Sequence, residues 1–190
     1  MISYEEVYKI VKERLSAKRF KHSEGVVKRA LEYAKIYEKN EQEVKLCAIA
    51  HDIAKEFSEE ENKKFIKKYQ IALDDIEIIN KNLVHAKIGA AICKEEFGFT
   101  EDMVNSIKYH TTGRDNMTLL EKIIYLADAT EETRNYEDIN YYVRLVKENI
   151  DQAVLEVDQW VIKKLLENQK IIHPDSIKCY NYYAKLLHKS

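Results

Sequence analysis

The sequence predicts an all-α protein, a compact bundle of many helices, and three observations support this fold class. Only one proline and four glycines occur among the 190 residues, so few positions interrupt a helix. Strong helix formers such as leucine, alanine, glutamate and lysine are abundant. Apolar residues also recur at the spacing of a helix face along most of the chain. These features favour helices joined by short connections over a sheet.

The first part of the chain contains four predicted helices. Helical periodicity predicts the first three at residues 3–16, 18–39 and 41–56. Ser58 and Glu61 then stand three residues apart, in the register of a capping box, where each side chain bonds to the backbone amide of the other residue. This pair predicts the first turn of the fourth helix.

The second part of the chain continues the helical pattern. The segments "LVHAKIGAAICKEEFG" and "TEDMVNSIKYHTTG" end at Gly98 and Gly113, and glycine is common just past the end of a helix. A strongly apolar helical segment follows at residues 117–134, and one long helix is predicted at residues 138–169. Pro174 opens the last helix, because proline is tolerated in a first turn.

Length, cysteine content and charge limit the class of protein. A chain of 190 residues is predicted to form one domain, 1–190, that buries its core without disulfides or a structural metal. The three cysteines, Cys47, Cys93 and Cys179, lie far apart, which argues against disulfides or a zinc knuckle and favours a reducing cytoplasm. No segment is long and apolar enough to cross a membrane. The net charge of −2, evenly spread, argues against a nucleic-acid duplex as partner.

The stretch "CAIAHDIAKEF" places two strongly hydrated residues, His51 and Asp52, in an otherwise buried helical pattern. A buried carboxylate beside an imidazole costs several kcal/mol unless both groups are satisfied. A metal ion would satisfy both. The alternative is a capped or salt-bridged pair at a helix end.

Four further polar residues fall on inward faces of other predicted helices. His22 precedes Val26 by one turn, and Asp128 follows Ile124 by one turn. His85 and His110 also stand at helical spacing from apolar residues. Taken singly, the histidines can be hydrogen-bonded core residues, and Asp128 can form a salt bridge with Arg134. Together with the His-Asp pair they predict a metal site, and mixed imidazole and carboxylate ligands suit iron, manganese or zinc.

The order of these residues resembles that of a known family. His22, then His51-Asp52, then Asp128 resembles the H…HD…D signature of the HD-domain metal-dependent phosphohydrolases. The whole chain resembles the YqeK type of that superfamily, the symmetrical diadenosine-tetraphosphate hydrolases. The matching stretches are "RFKHSEGV", "AIAHDIAK", "VHAKIGA", "IKYHTTG", "MTLLEKIIYLADATEETR" and "IIHPDSIKCYNYYAKLL".

The resemblance implies an HD-domain fold and a set of site residues. It implies that His22, His51, Asp52 and Asp128 hold one divalent ion, most often iron, and a second ion near His85 and His110 is the alternative. Asp52, His85 and His110 are the predicted catalytic residues. The predicted substrate contacts are Arg19, His22, Asp52, His85, His110, Thr111, Asp128, Arg134, Ile172, His173, Pro174, Asp175, Ser176 and Ile177.

The resemblance also implies partners and an arrangement of the chain. The expected partner is a small molecule, a dinucleoside polyphosphate or a nucleoside diphosphate, with no membrane and with a homodimer as the assembly. The carboxyl-terminal helices, 138–190, are expected to pack on the HD domain and close the nucleotide pocket.

Lys21 and Lys55 are interpreted as solvated surface cations. One departure from the family pattern is Glu132, which replaces a usual proline after Glu131.

Two other functions stay open from the sequence. An HD enzyme can instead be a nucleotidase or hydrolyse another nucleotide. A protein of this fold can also bind a metal or a nucleotide without catalysis, although retention of every ligand residue argues against it.

Overall fold

The computed structural model describes residues 2–135 and 138–188, and this part of the chain contains helices and no strand. The all-α prediction is therefore confirmed. The outermost residues of the predicted domain 1–190, and the end of the predicted segment 138–190, lie outside the described residues. Among the described residues, no helix combines the length and apolar character that crossing a membrane requires.

Eleven helices occupy the described residues. They are α1 Tyr4–Arg14, α2 Ala17–Ile36, α3 Glu41–Ala50, α4 Glu59–Tyr69, α5 Asp75–Ile79, α6 Val84–Glu95, α7 Glu101–Lys108, α8 Leu119–Thr130, α9 Ile139–Glu148, α10 Ile150–Glu167 and α11 Pro174–His188. The periodicity of the sequence misses α5, because a helix of one or two turns is too short to show a repeating apolar face.

The predicted starts of two helices are confirmed. Ser58 and Glu61 form the capping box at the start of α4, and Pro174 is the first residue of α11. The helices before Gly98 and Gly113 end earlier than predicted, at Glu95 and Lys108, and the two glycines lie in the following turns with φ angles of 69° and 64°. These are left-handed conformations, which glycine adopts without steric cost.

The prediction of a single long helix at residues 138–169 is wrong, because the helix is interrupted at Asn149. Its backbone is extended, with φ −154° and ψ 102°, so α9 ends there and α10 begins anew. The Asn149 side chain accepts hydrogen bonds from the amides of Asp151 and Gln152, both at 3.1 Å. This N-cap satisfies two amides that would otherwise lack partners, and it stabilises the start of α10.

The third helix also ends earlier than predicted, at Ala50 rather than near residue 56. Beyond it the backbone hydrogen bonds span three residues instead of the four of an α-helix. The amide of Ile53 donates to the carbonyl of Ala50, and the amide of Lys55 donates to the carbonyl of Asp52. His51 and Asp52 therefore stand just past a helix end, where side chains can leave the helix cylinder in different directions.

The packing of the helices brings the polar residues together. Helices α2, α3, α7 and α8 pack against one another, with α1 on α3 and α6 on α7. Helix α9 packs on α2 and α8, and α10 packs on α8, α9 and α11. His22 lies on α2, Asp128 on α8 and His85 on α6, while His110 follows the end of α7. His51 and Asp52 follow the end of α3, so five separate helices place polar side chains at one point.

We expect Asn149→Ala to lower the free energy of unfolding by about 1 kcal/mol, because the N-cap of α10 is lost. For a protein of this size the Tm should fall by about 2–4 °C, measured by circular dichroism. Asn149→Asp keeps a capping oxygen and serves as the control. Equal stability of the wild-type protein and the alanine variant would contradict this role of Asn149.

Candidate metal centre

The four predicted ligands lie together in the interior. Nε2 of His22 is 3.1 Å from Oδ1 of Asp128 and 3.8 Å from Oδ2 of Asp52. Nε2 of His51 is 3.5 Å from the same Asp52 oxygen and 4.0 Å from Asp128 Oδ1. His22, His51 and Asp52 are buried, and the Asp128 side chain is 19% exposed. Two imidazole nitrogens and two carboxylates therefore surround one small volume.

Hydrogen bonds at the opposite ring nitrogen fix the orientation of each histidine. Nδ1 of His51, His85 and His110 each lies 2.7 Å from the backbone carbonyl oxygen three residues earlier. A carbonyl oxygen only accepts, so Nδ1 must carry the proton in all three rings. In the neutral ring Nε2 then holds a lone pair, and these lone pairs face the centre.

The positions of these histidines at helix ends explain the hydrogen bonds. His51 caps the end of α3, His110 stands two residues past the end of α7, and His85 lies in the first turn of α6. Carbonyls in the last turn of a helix lack a partner within the helix, so His51 and His110 can bond to them, whereas the Asn82 carbonyl that His85 contacts precedes α6. In each case the hydrogen bond at Nδ1 leaves Nε2 pointing inward.

The residues present fit a divalent metal ion. Nε2 of His22 and Nε2 of His51 are buried and have no hydrogen-bond partner. A buried polar atom without a partner costs free energy, and here both atoms face carboxylate oxygens. A cation would bind these lone pairs and carboxylates together. The donor set of imidazole and carboxylate suits iron, manganese or zinc.

A second group of atoms lies on the other side of Asp52. Oδ1 of Asp52 is 3.1 Å from Nε2 of His85 and 3.6 Å from Nε2 of His110. The two Nε2 atoms are 3.2 Å apart. Burial lowers the pKa of His85 to about 4, although Asp52 opposes this shift, so this ring is neutral at neutral pH. Lys55 Nζ lies 3.3 Å from Nε2 of His85 and Thr111 Oγ1 lies 3.2 Å from Nε2 of His110, and a cation could bind both lone pairs together with Asp52.

Both aspartates are ionised and paired with arginines. Burial alone would raise the pKa of Asp52, but the surrounding imidazoles, His51 first and then His110 and His85, hold that pKa well below its usual range. Arg19 Nη1 donates to Asp52 Oδ2 at 3.0 Å.

Asp128 is held in the same way. Burial would raise its pKa, but the adjacent His22 ring and the charges around Asp128, that of Arg134 among them, lower the pKa strongly. Arg134 Nη2 donates to Asp128 Oδ1 at 2.6 Å, and Arg134 Nε donates to the Asp128 backbone carbonyl at 3.0 Å. The two arginines therefore border the centre and neutralise its carboxylates.

Glu131 orients His22, and the sequence reasoning missed this role. The carboxylate is fully buried, and its Oε1 lies 3.0 Å from Nδ1 of His22. Oε2 accepts a hydrogen bond from the amide of Thr133 at 2.7 Å. A Cβ atom at Gly25 would lie 2.5 Å from Oε2, so any other residue there would displace this carboxylate. The available signal was a glycine inside a predicted helix, where glycine lowers stability without some other benefit.

The departure from the family pattern at Glu132 lies on the surface. Its side chain is 53% exposed and pairs with Lys28 of α2. The adjacent Glu131 faces inward, and Arg134 still reaches Asp128. The replaced proline therefore leaves the contacts of the centre in place.

The interpretation of Lys55 as a solvated surface cation is wrong. Its Nζ lies 3.3 Å from Nε2 of His85, and the side chain is half-buried. Burial lowers the pKa of Lys55, and Asp52 opposes that shift. The early end of α3 explains the difference, because the following tight turns direct Lys55 toward α6. Lys21, by contrast, is exposed as predicted.

The other predicted substrate contacts divide into two groups. Thr111 lies at the centre, with Oγ1 3.2 Å from Nε2 of His110. The segment Ile172–Ile177 bonds elsewhere: His173 Nε2 lies 2.8 Å from Asp74 Oδ2, and Ser176 Oγ donates to the Thr112 carbonyl at 3.0 Å. This segment therefore contacts the residue next to Thr111 rather than the ligand cluster.

Several clefts among the described residues open around the centre. One of about 350 Å³ is lined by Arg19, His22, Glu131 and Arg134. A second, of about 190 Å³, is lined by His110, Thr111, Tyr125, Asp128, Arg134 and Trp160. A third, of about 560 Å³, extends from Lys55 and Thr111 to the end of α10. Cations and buried histidines thus face open volume large enough for a phosphorylated ligand.

Comparisons with known proteins add independent evidence. A family model described as the HD domain matches residues 19–133. A Halalkalibacterium halodurans protein named bis(5'-nucleosyl)-tetraphosphatase, symmetrical, is 36% identical over 90% of this chain and 92% of its own. A Bacillus subtilis protein of the same name is 32% identical over 94% of this chain and 96% of its own.

A solved structure has the same fold. The crystal structure of a protein described as a predicted HD superfamily hydrolase involved in NAD metabolism, from Clostridium acetobutylicum, is 32% identical to this chain. It superposes with a TM-score of 0.92 and covers 97% of this chain and 98% of its own.

We expect Gly25→Ala to weaken binding of a divalent metal by about 10- to 100-fold, the scale seen when a residue that orients a ligand is lost. The added Cβ atom displaces Glu131, which then no longer orients His22. Metal affinity is measured by competition with a chelator. Gly25→Ala combined with Glu131→Asp shortens the carboxylate and should recover part of the affinity. Unchanged affinity in Gly25→Ala would contradict this role of Glu131.

Proposed function

The chain belongs to the HD-domain family and, within it, to the symmetrical bis(5'-nucleosyl)-tetraphosphatases, and from this membership we propose that it cleaves diadenosine tetraphosphate at its midpoint into two molecules of ADP. One observation carries the proposal. The inward Nε2 atoms of His22 and His51 lie beside Asp52 and Asp128, and Arg19 and Arg134 stand at the edge of the same cluster.

HD domains bind divalent metals, and we propose that His22, His51, Asp52 and Asp128 hold the ion, with iron as its identity and manganese or zinc as alternatives. The two unpartnered Nε2 atoms support this ligand set. A bound divalent cation supplies Lewis acidity toward a phosphoryl oxygen and toward water.

Asp52 is the proposed catalytic base. One of its oxygens faces His22 and His51, and the other faces His85 and His110. A carboxylate in this position can orient a water molecule for attack and accept a proton from it. His85 and His110 would present their Nε2 lone pairs on the other side of Asp52, where they can hold a second ion beside the phosphates.

Arg19 and Arg134 are the proposed phosphate contacts. Their guanidinium groups pair with Asp52 and Asp128, and a planar guanidinium suits bidentate binding of phosphate. The hydroxyl of Thr111 adds a neutral donor at the same place.

The carboxyl-terminal helices are proposed to complete the pocket within one HD domain. Trp160 and Val161 of α10 line the cleft beside Asp128. Ile172–Ile177 is proposed to hold the nucleotide on this side, and the hydrogen bond from Ser176 to Thr112 supports its closeness to the site.

The facing lone pairs of His85 and His110 favour two ions over the single ion expected from the sequence. Their Nε2 atoms are 3.2 Å apart, and Asp52 Oδ1 lies within 3.6 Å of both. A second cation held by His85, His110 and Asp52 would remove the repulsion between the lone pairs, and Asp52 would then bridge the two positions.

The cytoplasm is the proposed location. Cys47, Cys93 and Cys179 are free and buried, as expected where thiols stay reduced. A homodimer remains a prediction from the sequence.

Incubation of the metal-loaded protein with diadenosine tetraphosphate should give ADP as the single nucleotide product, measured by ion-exchange chromatography. Cleavage at the midpoint is expected if the two halves of the substrate lie on opposite sides of the metal centre. Equal amounts of ATP and AMP would contradict the proposed function, and so would complete absence of cleavage with iron, manganese and zinc each supplied.

Elemental analysis of purified protein measures the number of metal ions per chain. We expect two ions per chain in the wild-type protein and one in His110→Ala, because His110 belongs to the second position alone. His110→Ala should also lose activity by roughly a hundredfold or more. Asp52→Ala should lose nearly all metal and activity, with helical content retained, because the core is independent of the site. One ion in both the wild-type protein and His110→Ala would refute the second position.

A further inference from the structure

The proposed substrate has two identical halves, so a cut at its midpoint requires space on both sides of the reacting phosphates. Two clefts that meet at Thr111 provide such space. The smaller, of about 190 Å³, contains Asp128, Arg134 and Trp160. The larger, of about 560 Å³, begins at Lys55 and lies within the size range of small-molecule pockets.

We propose that the larger cleft binds the second ADP unit of diadenosine tetraphosphate, with Lys55 on its phosphates and an apolar wall of Ile79, Leu165 and Ile171 on its adenosine. This inference rests on the proposed function. It assigns to α5 and the end of α10 a role in choosing a substrate that carries a second nucleoside.

Lys55 has the position and the charge for a phosphate contact. Its Nζ lies 3.3 Å from Nε2 of His85, so the ammonium group stands beside the proposed catalytic residues. Within residues 2–135 and 138–188, Lys55 forms no ion pair with a carboxylate within 4.0 Å, whereas Arg19 and Arg134 both do. The ammonium charge therefore remains available to an anionic ligand.

The far part of the cleft has the character of a nucleoside site. The side chains of Ile79 and Ile171 are 66% and 42% exposed, which leaves branched aliphatic groups open to solvent in this part of the cleft. A purine ring placed against them would remove this apolar surface from water. Asn80 and Asn82 line the same cleft and offer amide groups for polar edges of the ligand.

Thr111 connects the two clefts. It lines both clefts, and its hydroxyl lies 3.2 Å from Nε2 of His110. A polyphosphate chain that passes Thr111 would connect the cleft of Trp160 with the cleft of Lys55 and would cross the ligand cluster between them. The midpoint of the substrate then coincides with the reacting centre.

The test compares diadenosine tetraphosphate with adenosine 5'-tetraphosphate, which has the same phosphates but one adenosine. In Ile79→Ser we expect the KM for diadenosine tetraphosphate to rise about tenfold, because contact with an apolar side chain is lost. The inhibition constant of adenosine 5'-tetraphosphate should change by less than about twofold, because its adenosine can occupy the other cleft. Ile78→Ser is the matched control, since Ile78 is 59% exposed but lines a different groove.

Lys55→Met tests the phosphate contact separately. It should weaken both ligands by a similar factor of about ten or more, because both carry the phosphates. If wild-type protein and Lys55→Met bound each ligand with the same affinity, the assignment of Lys55 would be overturned.

The remaining outcomes separate the inference from the proposed function. If the wild-type protein produces ADP but Ile79→Ser affects both ligands equally, or neither, the second adenosine lies elsewhere and the inference fails. If the wild-type protein gives no ADP from diadenosine tetraphosphate, the proposed function fails and the inference fails with it.

Discussion

A hydrogen bond from Nδ1 of a histidine to the backbone carbonyl three residues earlier sets the chemistry of this protein. It occurs at His51, His85 and His110, each at 2.7 Å, and Glu131 performs the same task for His22 at 3.0 Å. Because Nδ1 carries the proton, the lone pair of Nε2 must point the other way. Four such lone pairs and two aspartates meet at the centre of the bundle, and this concentration of buried electron donors could hold a divalent cation.

The helical fold supplies these hydrogen bonds through its helix ends. Helix α3 stops at Ala50, so His51 and Asp52 diverge in direction, and Asp52 faces both groups of histidines. Helices α2 and α8 pack on each other and bring His22 to Asp128. The arginines and Lys55 then balance the acidic charge from the rim. A metal-dependent phosphohydrolase needs this combination, because an anionic substrate must approach a centre that also contains carboxylates.

The fold class and the inward position of these polar residues could be predicted from the sequence because both depend on local patterns. Apolar periodicity locates most helices, and His22, His51, Asp52 and Asp128 interrupt that periodicity. Contacts between distant segments left no such signal. Glu131 and Gly25 fit each other across 106 residues, which spacing along one helix cannot reveal. The end of α3 depends on a few backbone bonds, and the predicted placement of Lys55 was wrong for that reason. The break at Asn149 depends on a side-chain cap within an otherwise regular apolar pattern.

The most direct test of this arrangement is the protonation of the four histidines, measured by nitrogen-15 NMR of the imidazole rings in metal-free protein near neutral pH. We predict a proton on Nδ1 and none on Nε2 for His51 and His85, and a change in the Nε2 resonance of His51 when zinc, a diamagnetic ion, is added. A proton on Nε2 of His51, or an Nε2 resonance that zinc leaves unchanged, would contradict the metal centre on which the proposed function depends.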